Sequence, residues 1–307
     1  MRDFEHATAP LLREIVDHAR THGDRIAIRC GRNAHDYAKL VRRFERVTAH
    51  LSGTHGVLPG QRVVTLAAND DLQLVILLAC LRLGAVWAPL DPSVAPDVLQ
   101  HRLQQADASL IVADESNLTV ARALAAQSAG VRCVILDRLI DNLAPYGLQY
   151  PQVESDAPVL MLFDAEAAGK ATRFRQDRLL AADTDIALED NVLVTLPLAH
   201  FAGLMLEAVP ALARGATVTL LPGFTPAAWL EAVVNTRPTV AAVTVDMMEA
   251  LRNVSAWESI DLSSLRRLTV VDGPLPPALA ADLIGRGVPL HTRSAPAGMT
   301  FGERNGT

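Results

Sequence analysis

Asp70-Asp71-Leu72-Gln73-Leu74-Val75-Ile76-Leu77-Leu78-Ala79-Cys80-Leu81-Arg82-Leu83-Gly84-Ala85-Val86-Trp87-Ala88-Pro89-Leu90 is the stretch on which the fold turns. From Leu72 to Leu90 it is the most apolar segment of the chain, yet Arg82, Gly84 and Pro89 interrupt it. It is too broken to span a bilayer, which takes about 20 consecutive apolar residues. It reads instead as a buried helix, Asp70–Leu83, that stops at a glycine and runs into a strand, Ala85–Ala88. A helix feeding a short β-branched run is part of a βαβ unit, and parallel strands need such crossovers.

The same rhythm extends in both directions. Arg25–Arg29 and Arg62–Ala67 read as strands before the quoted helix. After it come a helix at Pro96–Ala106, a strand at Leu110–Val112, a helix at Leu118–Ala129 and a strand at Val131–Leu136. A stretch rich in Pro, Tyr and Asn, Asp141–Ala157, divides the chain into expected lobes at 1–145 and 155–307. In the second lobe Val159–Phe163, Asn191–Leu196, Thr217–Leu221, Val240–Val245 and Arg267–Val271 read as strands. Phe201–Arg214, Pro226–Asn235, Asp246–Val254 and Pro277–Arg286 read as helices. The fold class is α/β, with two stacked lobes of mostly parallel sheet. Each sheet would leave a face bare alone, so helices are expected to be sandwiched between them.

Composition narrows the function. Half of the 307 residues are hydrophobic and 20 % are charged, below the usual quarter, which suits a thick layered protein. A net charge of −6 argues against a nucleic-acid surface. The basic residues are scattered, with no run longer than the pairs Arg42–Arg43 and Arg266–Arg267. Cys30, Cys80 and Cys133 are widely spaced and form no Cys-x-x-Cys, so neither a zinc site nor a disulfide framework is indicated. They read as reduced thiols of a cytoplasmic protein. Met1–Arg20 mixes charges and is not a signal peptide.

Several landmarks fall in a fixed order: Gly56-Val57-Leu58-Pro59-Gly60-Gln61-Arg62-Val63, Asn69, Gly84 to Pro92, Leu196-Pro197-Leu198-Ala199-His200-Phe201-Ala202-Gly203, Leu212 to Thr217, Asp261 to Arg267, and Gly273-Pro274-Leu275-Pro276-Pro277. In this order they resemble the N-terminal domain of the adenylate-forming (AMP-binding) superfamily: acyl-CoA synthetases, nonribosomal peptide synthetase adenylation domains and luciferases. The resemblance covers nearly the whole chain. It implies a ligase that joins a carboxylate to ATP, releases pyrophosphate and passes the acyl group from AMP to a thiol. It implies a Gly/Ser/Thr loop on the triphosphate, a Thr-Glu pair on phosphate and magnesium, an Asp on the ribose, and a Lys on a mobile C-terminal domain.

Against that pattern the phosphate loop is altered. The family reads roughly Tyr-Thr-Ser-Gly-Thr-Thr-Gly-x-Pro-Lys-Gly; here stands Phe163-Asp164-Ala165-Glu166-Ala167-Ala168-Gly169-Lys170-Ala171-Thr172-Arg173. Ala165, Ala167 and Ala168 lack the hydroxyls, and Asp164 and Glu166 set negative charge where a triphosphate would lie. Like charges at about 4 Å cost on the order of several kcal/mol at surface-like dielectric. Thr172 stands where the lysine belongs, and Lys170 is one cation in place of a cradle. Gly169-Lys170 is not a Walker loop, because Asp164 replaces the glycine five residues earlier and Ala171 the Ser/Thr. The segment Phe174–Asn191 is short for the family. Ser294-Ala295-Pro296-Ala297-Gly298 replaces Tyr-Gly-x-Thr-Glu, which puts Ala297 at the threonine and Gly298 at the magnesium glutamate. The chain then ends at Thr307, before the family's barrel subdomain and C-terminal domain.

The resemblance places His200, Phe201 and Gly203 at the acyl pocket and Asp272 and Gly273 where the backbone passes the adenine. An ordinary turn accounts for Asp272-Gly273 equally well, and a helix cap for His200. Asn69 and Trp87 read as structural, and Met247-Met248 as core beside the pocket wall. No catalytic residue and no metal site is assigned. The expectation is an acyl-CoA synthetase-like protein without independent ligase activity, which serves as a binding or assembly partner or is a remnant. The alternative is a working ligase completed by a separate polypeptide, with ATP and magnesium; otherwise no cofactor is expected. The expected partner is a second copy or another chain, on the surface near Val288 to Phe301; no nucleic acid or membrane is expected.

Overall fold

In the computed structural model, residues 9–141, 153, 156–164, 169–180, 185–271 and 273–293 are described. In chain order the first elements are α1 Pro10–Thr21, β1 Ile26–Cys30, β2 Asn33–Asp36, α2 Tyr37–Gly53, β3 Arg62–Leu66, α3 Asp71–Leu83 and β4 Val86–Leu90. They continue with α4 Pro96–Ala106, β5 Leu110–Ala113, α5 Leu118–Ala126, β6 Arg132–Ile135, α6 Arg138–Asp141, β7 Pro158–Phe163, β8 Ala171–Arg175 and α7 Gln176–Leu179. Then come β9 Asn191–Val194, a π-helix Ala202–Ala208, α8 Val209–Ala213, β10 Thr217–Leu220, α9 Pro226–Thr236, β11 Val240–Thr244, α10 Val245–Arg252, β12 Arg267–Val271, α11 Pro277–Gly285 and β13 Leu290–Thr292.

The quoted stretch folds as read. Asp70 caps α3 by accepting from the Leu72 amide at 2.8 Å. Gly84 ends the helix at φ 70°, a left-handed conformation that a Cβ would oppose. Between these signals the helix is buried all round, apart from Arg82, so it lies in a core and not on a surface. Its one early charge, Asp71, is met by the guanidinium of Arg43 on α2 and by His35 Nε2 at 3.3 Å.

Two sheets stack with helices between and outside them. The six-stranded sheet runs β6-β5-β3-β4-β7-β8 and the seven-stranded sheet runs β13-β12-β11-β9-β10-β1-β2. All pairings are parallel except β7–β8 and β1–β2, and neither sheet closes into a barrel. The central core joins both sheets around α1, α2, α3, the π-helix and α8. Outer cores lie under α4 and α5 on one side and under α9, α10 and α11 on the other. Both faces of each sheet are therefore covered, as parallel sheets require.

The sheets do not follow the expected division at 145/155. β1 and β2 belong to the second sheet, where Ile28 pairs with Val218, and β7 and β8 belong to the first, where Leu160 pairs with Trp87. Neighbours in sequence are neighbours in a sheet only about two-thirds of the time. The expected boundary loop itself lies mostly outside the described residues.

Three other expectations need correction. α1 and α2 were not read from the sequence, although α2 has an Asp36 cap that accepts from Lys39 N. The region after Phe163 forms strand β8 and the short α7 where a loop was read. The helix read at Phe201–Arg214 begins as a π-helix. Pro210 explains why: it offers no amide to the Leu206 carbonyl, and its ring presses on that carbonyl. The i→i+5 turn relieves both, and π turns of this kind are frequent at functional sites.

Asn69 and Trp87 are structural, as read. Asn69 lies between the sheets; its Nδ2 donates to the carbonyls of Leu196 and Leu221, and its Oδ1 accepts from Leu198 N. Trp87 is fully buried and donates to Thr65 Oγ1 at 3.2 Å. Met248 is core, but Met247 lines the cleft described below.

Candidate functional site

The C-terminal ends of β4 and β7 meet the start of the π-helix, and a cavity of about 130 Å³ opens there. In open parallel sheets this edge is where ligands bind. Pro89, Asp91, Arg102, Phe163, Asp164, His200 and Phe201 are in its wall. His200 is carried by a turn in which its amide donates to Pro197 O at 2.9 Å. Burial pushes its imidazole pKa down to about 3, so it is neutral at pH 7. Phe201 packs on Phe174 with ring centroids 6.0 Å apart.

Arg102 reaches the cavity from α4. Its Nη2 donates to the Asp164 carbonyl at 2.6 Å, and its guanidinium lies 5.7 Å from the Phe163 ring centroid. Burial lowers its pKa, which Asp91 and Asp164 partly restore. Asp164 Oδ1 and Arg102 Nε are both buried without a hydrogen-bond partner. Among the described residues the cavity wall carries two carboxylates and one guanidinium, and that guanidinium is bonded to the Asp164 carbonyl.

Adjoining it, at the shared residues Asp91 and Ala199, lies a cleft of about 210 Å³ between the two sheets. Asn69, Thr195, Leu198, Phe224 and Met247 line it.

The residues expected from the sequence are distributed unevenly. Asp164, His200 and Phe201 come together at the cavity. Gly203 does not line it: a Cβ there would meet the carbonyls of Leu196 and Pro197 at 2.8 Å, so the glycine lets the π-helix approach the end of β9. Gly169 is buried and Lys170 exposed, where the loop closes through an Asp164 N to Lys170 O bond of 3.4 Å. Thr172 is not in the loop but in β8, opposite Leu162. Gly273 is exposed at φ 136° after β12. Ala165, Glu166, Ala167, Ala168 and Asp272 lie outside the described residues, as do Ser294–Gly298 and Phe301.

Sequence reading missed Arg102 and Asp91. Arg102 had a detectable signal: it falls with Leu99, Leu103 and Ala106 on the buried face of α4, a costly place for a cation without a purpose.

Among the described residues, one group has metal-ligand chemistry: Cys30, Asp70 and Asp71. Arg43 already occupies Asp71. Burial, with Asp70 and Asp71 adding, pushes the Cys30 thiol up to about 12. All three cysteines are free thiols. No described helix is long and apolar enough to cross a membrane.

The chain is a doubly layered, mostly parallel α/β body with a cavity where strand ends meet a helix start. Residues 15–292 match the family model for AMP-binding enzymes. The chain is 33 % identical over 284 residues to a feruloyl-CoA synthase of Amycolatopsis sp, covering 89 % of this chain and 56 % of that protein. It is 30 % identical over 298 residues to an indoleacetate–CoA ligase of Aromatoleum aromaticum, covering 91 % and 58 %. The crystal structure of the anthranilate CoA ligase AuaEII superposes with a TM-score of 0.87 at 16 % identity, over 95 % of this chain and 60 % of that one. The N-terminal domain of FACL13 from Mycobacterium tuberculosis superposes with a TM-score of 0.83 at 17 % identity, over 93 % and 76 %. The chain belongs to the AMP-binding enzyme family, and spans about half the length of the curated relatives it matches.

Proposed function

We propose that this chain binds an acid of the kind its relatives handle but does not itself adenylate it, and that it works as a binding or assembly partner. One observation carries the reading. At the place where the resemblance puts the triphosphate, Asp164 holds a buried carboxylate oxygen without a partner, beside Asp91. The one guanidinium in the cavity is bonded to the loop's own carbonyl. A polyanion entering here would meet two carboxylates at low dielectric, where each like-charge contact costs several kcal/mol. These residues do not fit ATP with magnesium.

What speaks for acid binding is the apolar part of the same wall. Phe163, Phe201, Pro89 and Val94 surround a neutral His200. The relatives carry the names feruloyl, indoleacetate and anthranilate ligases, all of aromatic acids, and an aromatic carboxylic acid is the proposed ligand. The second reading, a ligase completed by a separate polypeptide, draws on the same cavity. ATP decides between them.

Calorimetry with millimolar ATP and magnesium is expected to give no measurable binding heat. Ala165→Ser, Glu166→Gly, Ala167→Thr, Ala168→Thr and Thr172→Lys together are expected to bring binding into the measurable range without turnover. Micromolar affinity in the unaltered chain would refute the first reading and favour the second.

The assembly part of the proposal rests on β13, the end strand of its sheet among the described residues, since sheet edges invite pairing. Light scattering at micromolar concentration is expected to report a homo-oligomer or, after co-expression, a stable complex. A monomer near 33 kDa with no partner on pull-down would rule the assembly role out.

A further inference from the structure

The π-helix carries a buried carboxylate that nothing above employs. Glu207 is 2 % exposed, and beyond the nearby Ala242 amide neither carboxylate oxygen has a hydrogen-bonding neighbour. It faces a cavity of about 240 Å³ between the π-helix and the inner faces of β11, β12 and β13. Arg267 of β12 lines the same cavity, is 8 % exposed, and has a buried Nε without a partner. Thr269 and His291 add polar groups to the wall, and Leu206 an apolar one. Asp185 is also there, but Arg266 engages it at 2.9 Å.

Glu207 and Arg267 line the same space, with Arg293 also in its wall, and no ion pair joins Glu207 to Arg267 among the described residues. Burial raises the Glu207 pKa well above its usual range, against the pull of the Ala242 amide and of Arg267. Burial lowers that of Arg267, while Asp185 and Glu207 oppose the fall. Such a separation is costly, because a buried acceptor or donor left without a partner loses on the order of 1–3 kcal/mol, and more when charged. The backbone keeps the two apart. Arg267 is fixed by its ladder position opposite Val240, and Glu207 by the π turn ahead of Pro210. A group that offers a donor to one side and an acceptor to the other, on adjacent atoms, would satisfy both.

Several ligand chemistries have that pattern, a zwitterion and an amide among them. The zwitterion must give up the hydration of two full charges, several kcal/mol each. An amide gives up far less, roughly 1–3 kcal/mol on protein scales, and still offers N–H to Glu207 and C=O to Arg267. We propose that this cavity is a binding site for a small molecule with a primary carboxamide, its NH₂ donating to Glu207 and its carbonyl accepting from Arg267. The site is separate from the His200 cavity and stands whether or not ATP or an acid binds there.

Benzamide is the probe, with N,N-dimethylbenzamide, which has no N–H, as the control. Calorimetry on the full chain is expected to find benzamide bound at millimolar or better affinity and the dimethyl compound at least tenfold weaker. Glu207→Leu and Arg267→Met are each expected to weaken benzamide at least tenfold. No binding of benzamide, equal binding of the two amides, or binding unchanged in both variants would overturn the proposal. Should either variant fail to fold, the comparison of the two amides on the unaltered chain still decides. A zwitterion such as phenylalanine binding tighter than benzamide, with loss in Glu207→Leu, would also overturn it.

Discussion

Asn69→Ala is expected to lower the unfolding free energy by roughly 3–5 kcal/mol, measured by urea denaturation. The side chain makes three buried hydrogen bonds, to Leu196 O, Leu221 O and Leu198 N, at 2.9, 3.1 and 2.8 Å. Alanine leaves those buried backbone groups without their partners, at about 1–3 kcal/mol each before relaxation. The damage extends beyond energy. Asn69 follows β3 of one sheet, while Leu196 and Leu221 follow β9 and β10 of the other, so one amide sets the spacing of the cleft. Asn69→Asp is expected to be at least as harmful, because it sets a carboxylate oxygen against two carbonyls. A loss below about 1 kcal/mol for the alanine variant would mean that water takes over the three bonds.

The second large effect is acid sensitivity centred on His200. Its folded pKa of about 3 lies below the usual 6.5 because burial disfavours the imidazolium. A group with a depressed basic pKa stabilises the fold fully above its unfolded pKa, and that contribution is lost as pH falls from 6.5 toward 3. At pH 4.5 the loss is about 3 kcal/mol, from two pH units at about 1.4 kcal/mol each. His35, His50 and His55 are also lowered, chiefly by burial, and share the window. The comparison must therefore be with His200→Leu. Between pH 7.5 and pH 4.5 that variant is expected to lose about 3 kcal/mol less than the parent. Parallel losses in the two proteins would show that water enters the cavity and solvates the imidazole.

The sequence carried much of the fold because its signals are local. The cap at Asp70, the stop at Gly84 and the β-branched runs act over a few residues, and these positions place α3, β3 and β4 to within two residues of the reading. The ordered landmarks from Gly56 to Pro277 were enough to name the family, since they reflect the whole arrangement of turns and not one site. The helical period of α2 is present in the sequence, since Leu40, Phe44, Val47 and Leu51 recur at helical spacing on its buried face.

The site was less legible. The altered residues of the phosphate loop could be read against the family pattern, and so could His200. That Arg102 ends on the loop carbonyl is a contact across 62 positions, and no local pattern encodes it. The sheet membership of β1 and β7, the π turn ahead of Pro210 and the gap between Glu207 and Arg267 are of the same kind. Each depends on which surfaces meet once the helices are packed between two sheets. Sequence alone determined the elements, their order and the family, because backbone preferences and hydrophobic period are properties of short segments. Only the tertiary structure decided which strands share a sheet and which buried charges face a common space, because those follow from packing between segments far apart in the chain.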